Sequence, residues 1–229
     1  MKVLIDGDIL TYRAAFSCEG QPLEDAQDKI DELVEEILEA VAFSCTSESY
    51  EMFITGKGNF RYDVQCTYKQ NRFGKPKPEH LRGLRDYLVS AYSAKVSSGQ
   101  EADDDIAIRA TELGPEAVIA SIDKDFLQVP CWHYNLNRGT MVSVDEATGL
   151  RFFYGQILSG DAADNVFGIK GVGPVKSAKM LAEANTERDL YDVCVAAYGG
   201  DVDKVTENAR LLWLRREEGQ VWQPPSTQV

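Results

Sequence analysis

Apolar residues follow two spacings along this chain. Short unbroken runs, Val3-Leu4-Ile5, Met52-Phe53-Ile54 and Ala117-Val118-Ile119-Ala120, each give way to polar or glycine-containing sequence and predict buried strands. Ile30, Leu33, Val34, Ile37, Leu38 and Val41 instead recur at three- and four-residue spacing and predict an amphipathic helix over 23–43, with its acidic face in water. Leu81, Leu84, Tyr87 and Leu88 do the same for a helix starting near Glu79, with Arg82 and Arg85 off its apolar face. Before it, Gly74, Pro76 and Pro78 predict irregular chain. Beyond Phe153 the texture is helical with glycines, and the tail after Trp222 is predicted to fray. Strands separated by helices predict an α/β fold with a central, mostly parallel sheet flanked by helices, and functional groups at the carboxyl ends of the strands. A chain of 229 residues can build this as one domain with a full core.

Composition supports a soluble globular protein: 44% of residues are hydrophobic and 27% charged. The N-terminus turns acidic at Asp6, too early for a signal peptide or a spanning segment, which predicts a cytoplasmic protein without a membrane partner. Cys18, Cys45, Cys66, Cys131 and Cys194 are odd in number and unpaired as C-x-x-C, so free, mostly buried thiols are expected rather than disulfides or zinc ligands. The formal charge of −13 argues against a nucleic-acid partner until its distribution is considered. Lys57, Arg61, Lys69, Arg72, Lys75, Lys77, Arg82 and Arg85 fall in one segment with only Asp63 and Glu79 against them, a candidate phosphate-binding surface on an acidic body.

Four acidic motifs stand at predicted strand or helix boundaries: Asp6-Gly7-Asp8, Glu101-Ala102-Asp103-Asp104-Asp105, Asp123-Lys124-Asp125 and Asp161-Ala162-Ala163-Asp164. A plainer reading makes each pair a helix cap stabilised by the macrodipole, and for a single pair that reading is preferred. Four together favour a shared site that holds cations, because clustered carboxylates otherwise raise one another's pKa and destabilise the fold. Oxygen ligands select hard ions, magnesium or manganese, and His80 and His133 are read as a surface and a core histidine rather than ligands. Asp8 and Asp105 are the outlying members.

Two further features bear on nucleic acid. The glycines of Gly168-Ile169-Lys170-Gly171-Val172-Gly173-Pro174-Val175-Lys176-Ser177 permit positive φ and close backbone approach before a proline helix start, so their amides can rest on a phosphate or simply join two helices. The stretch fits neither Walker A nor G-x-G-x-x-G. Tyr68-Lys69-Gln70-Asn71-Arg72 offers an aromatic face for base stacking and two nearby cations for phosphate.

Taken in order over roughly residues 3–181, these motifs resemble the 5′-nuclease superfamily of flap endonucleases and 5′→3′ exonucleases, most of all its short phage-encoded exonucleases. The resemblance implies a PIN-like 5′-nuclease fold over 1–229, with a catalytic core in 1–150, a helical arch over about 69–85, a helix-hairpin-helix region in 151–190 and a helical segment and tail in 191–229. It implies that Asp6, Glu101, Asp103 and Asp104 surround one magnesium ion and Asp123, Asp125, Asp161 and Asp164 a second, with manganese able to substitute. Asp6, Asp103, Asp123, Lys69 and Arg72 would form the catalytic set. Tyr68, Lys69, Arg72, Lys75, Lys77, Arg82, Gly171, Gly173 and Lys176 would contact DNA, with Tyr68 stacking on the terminal nucleotide and a potassium ion held at the hairpin. The expected partner is DNA with 5′ ends, nicks or flaps, with RNA–DNA hybrids left open, and a monomer is expected. The products would carry 5′-phosphate ends, in phage DNA replication or recombination. One departure from the family pattern is the stretch Ile54-Thr55-Gly56-Lys57, where relatives commonly carry an Asp. It opens a second reading, a catalytically weakened, structure-specific DNA-binding protein of the same fold, unless Asp8 compensates. An RNA-cutting nuclease of the PIN-like fold fits less well, because of the glycine hairpin.

Overall fold

The computed structural model describes residues 1–44 and 49–226; Cys45 and the end of the tail predicted to fray lie outside them. The chain runs β1 (Lys2–Asp6), α1 (Gly7–Ser17), α2 (Leu23–Ser44), β2 (Ser49–Lys57), α3 (Arg61–Val64), α4 (Leu81–Tyr92), β3 (Lys95–Ser98), α5 (Ala102–Leu113), β4 (Ala117–Ser121), β5 (Trp132–Asn135), β6 (Thr140–Ser143) and α6 (Glu146–Ser159). A two-stranded ribbon of β7 (Gly160–Asp161) and β8 (Val166–Phe167) follows, then α7 (Pro174–Met180), α8 (Glu187–Ala197) and α9 (Val202–Leu212).

The main sheet has the order β3-β2-β1-β4-β5-β6. Its first five strands pair parallel, and β6 closes one edge antiparallel to β5. Successive side chains of a strand point to opposite faces, and both faces here are covered, which is why β1 reads as an unbroken apolar run. Val3 and Ile5 face a core built with Leu10 and Ala14 of α1, Ile30, Val34 and Ile37 of α2 and Leu84 and Leu88 of α4. Leu4 faces the opposite core, with Phe53 and with Ile106 and Ala110 of α5. A third core gathers the C-terminal helices around Phe153, Tyr154 and Ile157. The ring of Trp213 stands 4.8 Å from that of Phe153, and Trp222 is 5% exposed beside it, so both tryptophans serve packing.

Several boundaries differ from the sequence expectation. β2 runs on through Thr55 and Gly56 to Lys57, and β3, β5 and β6 were not foreseen because their sequences are polar or mixed. The stretch after Asp6 forms α1, started by Asp6, whose side chain accepts the Ile9 N–H at 3.2 Å. The helical arch expected over 69–85 is not built as such. One short 3₁₀ turn, Gln70–Arg72, is followed by eight irregular residues before Leu81 opens α4. Pro76 and Pro78 lack N–H donors and fix their own φ, so no helix can nucleate between them.

Sequential strands depart from β1 in both directions, to β2 and β3 on one side and to β4 and β5 on the other. The crevice at the carboxyl ends of β1 and β4 is therefore the topological switch point, where open α/β sheets present their functional groups.

Candidate functional site

A cavity of about 500 Å³ opens at this point, lined by Asp6, Asp8, Glu101, Asp103, Asp123, Asp125 and Asp164 among acids, and by Lys69, Arg72, Lys77 and Arg85 among cations. Asp6 ends β1, Asp123 follows β4 and caps the next turn by accepting the Asp125 N–H at 2.8 Å, and Glu101 precedes α5. Parallel pairing of β1 with β4 and the packing of α5 beneath them bring together acids that lie over a hundred residues apart in sequence.

The acids divide by the company they keep. Lys69 pairs with Glu101, and Arg72 with Asp164, whose other oxygen accepts the Tyr68 hydroxyl at 2.8 Å. Arg85 pairs with Asp8. Lys124 reaches Asp125 at 3.0 Å and Asp161 at 2.5 Å. Arg61 holds Asp104 through both guanidinium nitrogens, at 2.6 and 2.9 Å. Asp6, Asp103 and Asp123 form no ion pair among the described residues. Among the described residues Asp6 is held by the Ser121 hydroxyl at 2.7 Å and by the cap to Ile9.

Charge without a counter-charge raises carboxyl pKa values. Burial first, and then the charges of Asp8 and Asp123 against the opposing Ser121 hydrogen bond, lift Asp6 to about 7. Burial, followed by Asp6, Glu101 and Asp123, lifts Asp103 well above the usual carboxylate range. Burial and Asp123 bring Asp125 to about 6 in spite of Lys124. Glu101 is held low: burial would raise it, but Lys69 and Arg61 outweigh that.

Several expected site residues lie elsewhere. Asp104 is 0% exposed and spent on Arg61, so it is a buried anchor rather than a ligand facing the cavity. Tyr68 is 1% exposed, leaving no face on which a nucleotide could stack; its ring packs in the C-terminal core and its hydroxyl donates to Glu101 and Asp164. Asp161 is buried under Lys124 and does not line the cavity. Arg61, counted with the phosphate-binding cations, is 1% exposed and also donates to the carbonyls of Leu211 and Trp213 at 2.8 Å each. Lys75 and Lys77 are exposed on the segment leading into α4 and Arg82 in its first turn, and only Lys77 of these lines the cavity. Gly171, at φ +78°, Gly173 and Lys176 are exposed on the turn into α7, outside the cavity. Among the described residues no three acids, histidines or cysteines meet as a ready-made ligand set.

The position of the absent acid has a steric explanation. A Cβ on Gly56 would stand 2.0 Å from the Ser97 carbonyl oxygen, so β2 and β3 approach too closely for any side chain there. Thr55 spends its hydroxyl on the Ala102 N–H at 3.0 Å, and its own N–H donates to Asp8 at 2.9 Å. Asp8 thereby enters the cavity beside Gly56. Arg85 belongs to the basic segment of the sequence but not to the expected site set, Lys124 is marked only by its place between Asp123 and Asp125, and Ser121 carries no signal in the sequence. His133 is buried and His80 partly so, Cys18, Cys131 and Cys194 are buried free thiols, and Cys66 is an exposed one.

Residues 1–149 match the family described as 5′-3′ exonuclease, N-terminal resolvase-like domain. The chain belongs to this family. A flap endonuclease Xni from Shewanella piezotolerans is 34% identical over 140 residues, 54% of this chain and 54% of that protein, so the match spans about half the length of that curated relative. DNA polymerase I of Deinococcus radiodurans is 28% identical over 92% of this chain and 23% of its own. The fold of this family member matches that of the phage T5 protein crystallised with metal ions, with a TM-score of 0.70 at 17% identity over 92% of this chain and 88% of that one. Flap endonuclease-1 from Methanococcus jannaschii follows at a TM-score of 0.56 and 13% identity, over 95% and 80%. No helix among the described residues is long and apolar enough to cross a membrane.

Proposed function

We propose that this chain is a divalent-cation-dependent nuclease that hydrolyses phosphodiesters near the 5′ ends of DNA, at nicks or flaps, leaving 5′-phosphates. One observation carries the reading. Three carboxylates that form no ion pair among the described residues, Asp6, Asp103 and Asp123, face Lys69 and Arg72 across a cavity at the switch point of the sheet. The flap endonuclease and polymerase relatives, and the solved T5 complex with DNA and metal ions, support the substrate class.

The residues fit a hard cation. Their donors are oxygens only, and the burial and mutual repulsion that raise Asp6 and Asp103 are what a divalent charge would relieve. Asp6, Glu101, Asp103 and Asp123 would hold one ion and Asp125, Asp161 and Asp164 a second, magnesium foremost, with manganese in its place. The cations, when bound, supply Lewis-acid stabilisation of phosphoryl charge and a more acidic water. Lys69 and Arg72 donate to the phosphoryl oxygens as their charge grows, which requires each to exchange its carboxylate partner for the phosphate. Lys77 and Arg85 hold the neighbouring phosphate, Lys75 and Arg82 the exposed backbone beyond it, and the amides near Gly171 and Gly173, with Lys176 and a potassium ion, the duplex. RNA–DNA hybrids offer the same phosphates. The whole chain acts as one nuclease unit, a monomer, in DNA replication or recombination.

The test is product release from a 5′-labelled flap or nicked duplex with and without magnesium. Wild type cleaves only with the metal. Asp103→Asn loses at least about 100-fold in turnover, more than the loss typical of an outer partner of a metal, while its DNA affinity in calcium is retained. Tight binding without cleavage, in magnesium and manganese alike, would replace this reading by that of a DNA-binding protein of the same fold.

A further inference from the structure

Lys124 stands between Asp125, which lines the cavity, and Asp161, which does not. Its ammonium lies 3.0 Å from Asp125 Oδ1 and 2.5 Å from Asp161 Oδ2, while 59% of its side chain remains exposed. The other contacts leave little oxygen free: Asp161 Oδ1 accepts the Ala163 N–H at 2.8 Å, and Asp125 Oδ1 also accepts from Gln156 Nε2 at 2.6 Å. Asp161, so held, does not line the cavity. Across the cavity Asp6, Asp103 and Asp123 form no ion pair with a lysine or arginine among the described residues.

An ammonium and a divalent ion bind the same carboxylate oxygens, and both cannot sit between Asp125 and Asp161 at once. We propose that Lys124 is a built-in competitor for the second divalent cation. With its ammonium between these acids the chain binds one ion tightly, at Asp6, Glu101, Asp103 and Asp123, and takes a second only as Lys124 withdraws. This rests on the metal-dependent reading above. The exposed four-carbon stem allows the withdrawal, since the head can rehydrate without moving the backbone. Competition of this kind is a coupling between two bound cations and is reciprocal: whatever the second ion loses to the lysine, the lysine loses to the ion. The device makes the occupancy of the second position depend on metal concentration, while the first stays filled.

The experiment is a calorimetric titration of the full chain with manganese alone, backed by electron paramagnetic resonance of the free ion. It compares wild type with Lys124→Met, Lys124→Arg and, as a control for general charge, Lys77→Met, which removes a cation lining the same cavity. Wild type, Lys124→Arg and Lys77→Met should each bind one tight and one weak ion. Lys124→Met should tighten the second ion about tenfold, within the usual range of coupling between sites, and leave the first unchanged. Equal binding by wild type and Lys124→Met, an equal gain from Lys77→Met, or no manganese binding by either protein overturns the proposal. Failure of wild type to cut a 5′ flap in magnesium or manganese would instead overturn the nuclease reading, and the titration reads independently of it.

Discussion

Asp103 and Asp104 are neighbours in sequence and opposites in the fold. Asp103 faces the cavity and forms no ion pair among the described residues, and Asp104 is sealed under Arg61. One step along a helix turns a side chain by about 100°, enough to send adjacent acids to a solvent-lined crevice and to a core. The same division runs through the whole site. One group of acids, Asp6, Asp103 and Asp123, is left uncompensated, and the other is tied by lysines and arginines. The uncompensated group is suited to bind an external cation; the tied group fixes geometry and holds protein cations ready.

The strongest way to break the division is to remove the best-buried tie. Arg61→Met leaves Asp104 charged and unpaired in the core, and unfolding by urea should show a loss of about 3–5 kcal/mol, the usual cost of breaking a buried pair from one side. The double variant with Asp104→Leu should recover much of it, because removing both charges removes the stranded one. Next in size, Lys69→Ala should lower turnover about 10²–10³-fold, as for loss of one donor to developing charge, with manganese affinity at the uncompensated acids kept. A loss of metal binding in that variant would show that the two groups are one. The smallest effect concerns pH. Burial raises Asp6 in the folded chain to about 7, above its ordinary value, so its contribution favours folding at low pH and is lost as pH rises from about 4 to about 7. Without divalent metal, the urea midpoint of wild type should fall across that window and the Asp6→Asn profile should be flatter. Magnesium should restore the midpoint near neutral pH. An unchanged slope in Asp6→Asn would remove Asp6 from the uncompensated group.

What the sequence made legible follows the same physics. The buried central strands β1, β2 and β4 announce themselves because both faces are covered, whereas β3, with its Lys95, Ser97 and Ser98, lies at an edge and reads as loop. The acidic motifs were visible as a class, since each stands at the end of a strand or helix. Their division was not. Arg61 looks like any surface cation until Leu211, 150 residues later, offers it a carbonyl, and Tyr68 looks like a stacking platform until α6 and the C-terminal helices close over it. Helix periodicity also placed Arg85 off the apolar face of α4, but only the tertiary approach of α1 supplies its partner, Asp8.

The ties of Arg61 set a timetable for synthesis. Strands β1, β2 and β4 and every acid of the cavity leave the ribosome before Leu211 and Trp213, whose carbonyls complete the Arg61 anchor. At about 5–20 residues per second, the arginine waits roughly 8–30 seconds for those acceptors. During that interval the helix bearing Asp103 and Asp104 is only partly fastened, so the nascent chain carries every acid of the cavity before it can set them.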